Sequence, residues 1–288
     1  MKLLSFGEIL WDVYPDAKYL GGASLNFGAH VAKQGGEAYM LSALGNDELG
    51  AEAIEITKKW GINVKYVSIL NEHKTGACVV TLDEKGIPSY DLLDNVAYDY
   101  IEAPEVFEEK FNAFYFGTLA LRHEENRAQV EKIIKNNSFD EIFVDVNIRK
   151  PYATVEAIKL AFNNATIIKI SDEELPFVLD LLFGKSYDLT HAAKEIASAF
   201  KNLRIIIITL GSEGSVAYDC KNDVLYSVKA QKVKVASTVG AGDSFSATFL
   251  NKYLAGNKIE DCLKSATKVS AYVVSKTDAV PEYEDLEY

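Results

Sequence analysis

Short apolar, β-branched runs alternate along the chain with segments whose apolar residues recur every three to four positions. The first pattern fits strands and the second amphipathic helices. The run Ile205-Ile206-Ile207-Ile208 has no polar face to offer water, so it predicts a strand covered on both sides, as in parallel sheets. Further strands are predicted at 3–10, 38–43, 113–117, 141–146, 166–170 and 204–210, and helices at 24–34, 48–60, 124–135, 172–182, 191–200, 243–254 and 259–275. Gly35-Gly36 and Gly61 stand where the first two helices should stop. This alternation reads as an α/β architecture with a mostly parallel central sheet.

One region breaks the rhythm. Strand-like runs at 77–82 and 89–93 flank the turn Asp83-Glu84-Lys85-Gly86, and residues 11–20 are also extended in character. They read as antiparallel strands inserted into the α/β domain.

The 288 residues, nearly half of them apolar, suffice for one large core, so the whole chain 1–288 reads as a single domain. A net charge of −12 speaks against a nucleic-acid or anionic-membrane partner, and no apolar run approaches membrane length. Cys78, Cys220 and Cys262 lie far apart without metal spacing, and read as reduced thiols of a cytoplasmic protein. Glu8 and Asp12 interrupt the apolar start too soon for a signal peptide. The four histidines show neither metal nor triad spacing. Gly184-Lys185-Ser186 lacks the upstream glycine of a phosphate loop, and no Gly-x-Gly-x-x-Gly supports a dinucleotide oxidoreductase.

The chemistry is concentrated in Gly240-Ala241-Gly242-Asp243, a glycine-rich turn that opens an apolar helix. The first amides of a helix lack partners within it and can hold an anion. Asp243 beside that anion is placed to take a proton from an attacking hydroxyl. An anion cradle with a positioned base is the minimum for moving a phosphoryl group onto an alcohol. The alternative is a capped helix start behind a flexible turn.

A second glycine element, Gly21-Gly22-Ala23-Ser24-Leu25-Asn26, follows Gly7-Glu8-Ile9-Leu10-Trp11-Asp12, and Gly45-Asn46-Asp47-Glu48-Leu49-Gly50 comes later. With the Gly240–Asp243 turn, these motifs resemble the ribokinase (PfkB) family of sugar and nucleoside kinases, in order and over almost the whole chain. The resemblance implies a ribokinase-like three-layer fold, with segments near 11–21 and 72–100 forming a small β-sheet lid. It implies ATP and Mg²⁺, a sugar substrate, and a homodimer through the lid. Asp243 would be the general base, and Gly240, Ala241 and Gly242 the amides that stabilise the transferring phosphoryl group. Asp12, Gly22 and Asn26 would contact the sugar. Thr209, Gly211 and Gly214, with Gly242, would lie against the nucleotide. Glu174, in Ser171-Asp172-Glu173-Glu174, would organise Mg²⁺ through water, although Ser171 stands where Asn is usual. Ser237 and Asp278 depart from the residues usual near the family's monovalent-cation site, and both weigh against K⁺ activation.

Within the family the chain looks most like a fructokinase. Gly7-Glu8 with Trp11-Asp12, Thr75-Gly76, Gly86-Ile87-Pro88-Ser89-Tyr90, Ala97-Tyr98-Asp99 and Asp145-Val146-Asn147-Ile148-Arg149 carry that likeness. Tyr90 and Tyr98 are candidates to press on the sugar from the lid, or equally to fill the lid core or a dimer contact, and Arg149 to bond a substrate oxygen or else to pair with a surface acid. A kinase for 2-keto-3-deoxygluconate, ribose or a nucleoside stays open, as does a sugar-binding protein without catalysis. For an acidic sugar, Arg149 and Arg122 are the basic candidates.

Overall fold

Alternate isoleucines of the 205–208 run face opposite sides of one sheet, and both sides are covered. Ile205 and Ile207 pack into one hydrophobic cluster, Ile206 and Ile208 into another. The computed structural model describes residues 1–82, 88–150, 152–283 and 286, with the backbone alone at 82 and 88–90. The turn expected at 83–86 lies outside the described residues.

The strands are β1 (Lys2–Phe6), β2 (Leu10–Val13), β3 (Lys18–Gly21), β4 (Glu37–Gly45), β5 (Asn63–Leu70), β6 (Gly76–Leu82), β7 (Pro88–Leu92), β8 (Ala113–Gly117), β9 (Glu141–Asp145), β10 (Ile167–Ser171), β11 (Ile205–Thr209), β12 (Ser215–Asp219) and β13 (Val224–Val228). The helices are α1 (Ala23–Lys33), α2 (Glu48–Lys59), α3 (Glu124–Asn136), α4 (Val155–Asn164), α5 (Leu175–Phe183), α6 (Leu189–Ala199), α7 (Ala241–Leu254) and α8 (Ile259–Val274).

Nine strands form the large sheet in the order β13-β12-β11-β10-β9-β8-β1-β4-β5. It is parallel from β5 to β11 and ends in the antiparallel hairpin β12–β13. Residues of α1, α2, α7 and α8, such as Phe27, Ala53, Phe249 and Ala266, pack on one face. Residues of α3 to α6, such as Val130, Phe162, Val178 and Ile196, pack on the other. Covering both faces is what makes a strand as apolar as β11 favourable. Among the described residues, no helix is long and apolar enough to cross a membrane.

Four strands form a second sheet in the order β3-β2-β6-β7. It is mixed, where the sequence predicts antiparallel pairing: β2 and β6 run parallel, flanked by antiparallel β3 and β7. Both β2 and β6 leave the same end of the large sheet, after β1 and β5, so they set out in the same direction. The predicted strand 3–10 accordingly divides. The chain leaves the large sheet at Gly7, whose φ is 144° and where a Cβ would stand 2.1 Å from Ser24 Oγ. Beside that exit, Asp47 caps α2 through the Gly50 amide and also accepts from the amide and hydroxyl of Thr75, at 2.9 and 2.6 Å. That knot fixes where β6 departs. The predicted helix 172–182 begins at Leu175, because 171–174 form a turn closed by Glu174 N–H to the Ser171 carbonyl.

Candidate active site

A cleft of about 1460 Å³ lies between the small sheet and the ends of the central strands. Asp12, Gly22, Asn26, Arg149, Gly240, Gly242 and Asp243 line it. These residues come from β2, the start of α1, the loop after β9 and the start of α7. The sequence scatters them across the chain, and the fold gathers them at the carboxyl ends of parallel strands, where open α/β sheets bind ligands.

The start of α7 is built around Gly240, which caps the helix in the left-handed conformation, φ 79°. A Cβ there would stand 2.2 Å from the Ala279 carbonyl oxygen. The segment holding Ala279 is tied down by His30, which is fully buried in α1. Its Nε2 lies 3.0 Å from the Ala279 oxygen and its Nδ1 2.6 Å from the Tyr283 hydroxyl. Burial pushes the His30 ring down to about 3, so it is neutral at ordinary pH. Nε2–H therefore donates to the carbonyl, and Nδ1 accepts from the tyrosine.

Asp243 lies in the first turn of α7 and has no capping bond to its own helix. Asn26 Nδ2 donates to Asp243 Oδ2 at 2.9 Å. Burial raises the Asp243 carboxyl to about 7. The Asn26 bond opposes that rise, Asp145 adds to it, Lys169 opposes it, and Glu8 adds to it. A carboxyl poised there is suited to proton acceptance near neutrality. Asn26 is 4% exposed, and its Oδ1 has no hydrogen-bond partner among the described residues. That oxygen is a buried, unpaired acceptor in a residue that lines the cleft.

Of the three anion-binding amides expected, Gly240 and Gly242 belong to the cleft wall, whereas the Ala241 amide is turned to the Thr238 carbonyl at 3.3 Å. Opposite them, one rung of the small sheet crosses the cleft: Tyr19, Asp12, Cys78 and Leu92 are direct cross-strand partners, and all four line it. Burial raises the Asp12 carboxyl and Arg149 opposes the rise. Arg149 itself is exposed at the cleft mouth.

Other expected residues are placed elsewhere. Tyr98 is fully buried and does not line the cleft; the Arg122 guanidinium sits 4.9 Å from its ring centre. The side chain of Tyr90 lies outside the described residues. Arg122 is committed to Asp99, with Nε and Nη2 each 2.7 Å from its carboxylate, and does not line the cleft. Thr209 ends β11 and Gly211 and Gly214 lie in the loop after it, closed by Leu210 N–H to the Gly214 carbonyl at 2.8 Å, and none lines the cleft. Glu174 accepts from the Ile148 amide at 2.6 Å and the Ser171 amide at 2.8 Å, tying the loops after β9 and β10 together.

Three site residues escaped sequence reasoning. Glu8, buried behind Gly22, accepts from the Ala23 amide at 2.9 Å and the Ser24 hydroxyl at 3.3 Å, and so anchors the start of α1. Lys169 and Asp145 form a buried ion pair on β10 and β9 and also line the cleft. The available signal was a lone cation within Ile167-Ile168-Lys169-Ile170, because an apolar strand covered on both faces tolerates a charge only when paired.

A carboxyl raised toward neutrality beside glycine-led helix-start amides is the arrangement that phosphoryl transfer to an alcohol calls for. The model of the family described as pfkB family carbohydrate kinase matches residues 8–285. Probable fructokinase-5 of Arabidopsis thaliana is 28% identical over 278 residues, covering 86% of this chain and 81% of that protein. Guanosine-inosine kinase of Exiguobacterium acetylicum is 25% identical over 301 residues, covering 99% and 98%. The crystal structure of an uncharacterized sugar kinase from Pyrococcus horikoshii in complex with ATP superposes with a TM-score of 0.80 at 25% identity, covering 99% of this chain and 96% of that one. The fold is ribokinase-like, and the chain belongs to the pfkB family of carbohydrate kinases, phosphotransferases whose acceptor is an alcohol.

Proposed function

We propose that the protein is an ATP-dependent fructokinase that transfers the γ-phosphoryl group to the primary hydroxyl of fructose, giving fructose 6-phosphate. The observation that carries the chemistry is the Asp243 carboxyl, raised to about 7 at the start of α7 and bonded by Asn26. In this reading Asp243 takes the hydroxyl proton as the sugar oxygen attacks phosphorus. The amides of the first turn of α7, with Gly240, Ala241 and Gly242 shaping it, receive the charge on the phosphoryl oxygens. Asn26, Asp12 and the backbone at Gly22 take the remaining sugar hydroxyls, with Arg149 at the mouth.

The small sheet acts as the lid, residues 11–21 and 72–100 within one domain spanning 1–288. Its Tyr19–Leu92 rung closes on the sugar and excludes water, and its outer edge is a dimer surface. Tyr98 supports the lid from its core, and Tyr90 is its remaining candidate for sugar contact. Thr209 and the loop of Gly211 and Gly214 are the proposed nucleotide side, together with Gly242. Bound Mg²⁺ supplies charge neutralisation between the phosphates. Both Glu174 oxygens already accept amide bonds, and a carboxylate so engaged fits a water-mediated role. Ser237 and Asp278 line the cleft where K⁺ would be expected to act, and neither is the family's usual residue. The substrates and the proposed compartment are those of the cytosol.

Fructose as the acceptor is supported by the motifs around Asp12 and Arg149 and by the Arabidopsis relative. A nucleoside acceptor is the second reading, favoured by the guanosine-inosine kinase match over nearly both whole chains. An acidic sugar has weaker support, since Arg122 is paired with Asp99 and, of the cations lining the cleft, Lys18 is paired with Glu52 and Lys169 with Asp145. The deciding experiment measures ADP release from Mg·ATP with fructose, ribose, glucose, 2-keto-3-deoxygluconate, guanosine and inosine. Turnover confined to fructose supports the reading, and preferential turnover of a nucleoside or another sugar overturns the substrate assignment.

A further inference from the structure

Three side chains that this chemistry does not use meet beneath the start of α7. Lys169 Nζ lies 3.1 and 3.0 Å from the two carboxylate oxygens of Asp145. Ser246 Oγ donates to Asp145 Oδ2 at 3.3 Å. Lys169 and Asp145 are direct partners on neighbouring strands, 7% and 1% exposed, and Ser246 lies one helical turn after Gly242. A Cβ on Gly242 would stand only 3.1 Å from Lys169 Nζ, so the ammonium rests against the backbone of the turn that carries Asp243.

This pair is poorly explained by stability. A buried ion pair contributes little over well-packed apolar side chains of similar size. Another isoleucine at 169 would simply continue the apolar run of β10. Both charged residues also line the cleft.

We propose that Lys169, held by Asp145 and Ser246, is a positioning residue for the base: it fixes the first turn of α7 and supplies a positive charge that favours the ionised, proton-accepting form of Asp243. The inference rests on the reading of Asp243 as the base. The groups facing Asp243 are Asn26 from α1, Asp145 from β9, Lys169 from β10, Glu8 from the turn after β1 and the Tyr115 phenol from β8, which burial keeps neutral. Asp145 and Glu8 disfavour a second carboxylate, whereas Asn26 and Lys169 favour it, and Lys169 brings the positive charge to this set. Burial works against the Lys169 ammonium, but Asp145 and Glu174 outweigh it and hold the group protonated. It remains an ammonium throughout, and the only proton that moves is the one passing from the substrate hydroxyl to Asp243.

The test uses the whole protein with Lys169→Gln, which keeps a donor for Asp145 but loses the charge, and Lys169→Arg, which keeps both. The ¹³C shift of the Asp243 carboxyl, assigned by comparison with Asp243→Asn, is followed against pH without ligand. The pH profile of kcat/KM is measured in parallel. The Gln variant should raise the Asp243 midpoint by about one pH unit or more, and carry the acid limb of the profile with it. Its rate should recover toward wild type at high pH, and the Arg variant should stay near wild type throughout. A folded Gln variant with an unmoved midpoint, or one that loses activity equally at every pH, overturns the proposal. If Asp243→Ala keeps its turnover, the base reading fails by itself, while the carboxyl titration still reports whether Lys169 controls that group.

Discussion

Asn26 and Asp243 stand 217 positions apart in the chain and are joined by a 2.9 Å hydrogen bond from amide to carboxylate. The bond links the first turn of α1 to the first turn of α7, the two glycine-led helix starts of the cleft. It also orients the carboxylate, because one oxygen is held and the other is left for the substrate. Asn26→Ala removes a hydrogen bond to a charged group, worth about 1.5–3 kcal/mol. The variant should raise the Asp243 pKa and slow turnover at neutral pH by roughly tenfold or more. Asn26→Asp places a second carboxylate there and should be worse at neutral pH. Steady-state kinetics between pH 6 and 9 check both, and an unchanged neutral rate in Asn26→Ala would remove the orienting role.

Asp243→Ala tests the base directly. Loss of general-base assistance should lower kcat by about 10²–10⁴, equivalent to roughly 3–5 kcal/mol of barrier. Substrate affinity should change only modestly, since the neighbouring amides and Asn26 remain. Single-turnover measurement at saturating substrate separates the two effects, and near-wild-type turnover would exclude Asp243 from the chemistry.

The same carboxyl links activity and stability to pH in opposite directions. Its active form is ionised, so kcat/KM should rise with pH through a midpoint near 7. Its folded pKa is raised above the ordinary carboxylate value, so between that value and 7 the folded state binds more protons than the unfolded state. Stability from this group is therefore full at low pH and falls as pH rises toward 7. Asp243→Asn removes the buried charge and should stabilise the protein by about 2–4 kcal/mol at pH 8, with little gain at acid pH. Denaturant unfolding at the two pH values checks the sign, and equal gains at both would contradict it.

The start of α7 was legible in the sequence because its chemistry is local. A glycine turn, a helix start and one carboxylate within four residues fix their own geometry whatever surrounds them. The isoleucine run of β11 was equally legible, since one apolar strand reports on both faces of its sheet. What escaped depends on neighbours far along the chain. Pairing of β2 with β6 follows from the exits of β1 and β5, which no hairpin pattern encodes. For Tyr98 the sequence leaves a sugar face and a lid-core place equally open, and Arg122 and Gly76 enclose its ring in the core. The amide of Ala241 was counted with its neighbours until the turn aimed it at Thr238. Lys169 was visible as an oddity in an apolar strand, but its partner Asp145 comes from another strand.

Arg122 and Asp99 make a buried bidentate pair, with the Leu93 carbonyl, two aromatic rings and, at 3.7 Å, the Asp94 carboxylate also around the guanidinium. The pair holds the segment after β7 against the turn following β8. Removing one partner leaves an uncompensated buried charge, which typically costs about 3–5 kcal/mol. Arg122→Met should therefore lower the unfolding midpoint markedly. Arg122→Met with Asp99→Leu should recover part of the loss, and a double-mutant cycle by urea unfolding tests that coupling.

Gly240 and Gly242 sit two residues apart, yet their alanine variants should behave differently. At Gly240 the left-handed backbone disfavours any side chain by about 1–2 kcal/mol. The added Cβ also meets the Ala279 carbonyl, a backbone group that His30 holds in place. Gly240→Ala should lose stability and push the 279–283 segment away, and kcat should fall because the anion-binding turn moves with it. At Gly242 the backbone is already helical, and the nearest obstacle is the flexible end of Lys169 at 3.1 Å. Gly242→Ala should keep or slightly gain stability, since alanine favours a helix by about 0.8–1 kcal/mol over glycine. Its cost should fall on the Lys169–Asp145 pair, and hence on the pH profile of turnover. Thermal unfolding and kcat measured for both variants separate the two effects. Equal destabilisation by the two substitutions would show that Gly240 owes nothing to the Ala279 contact.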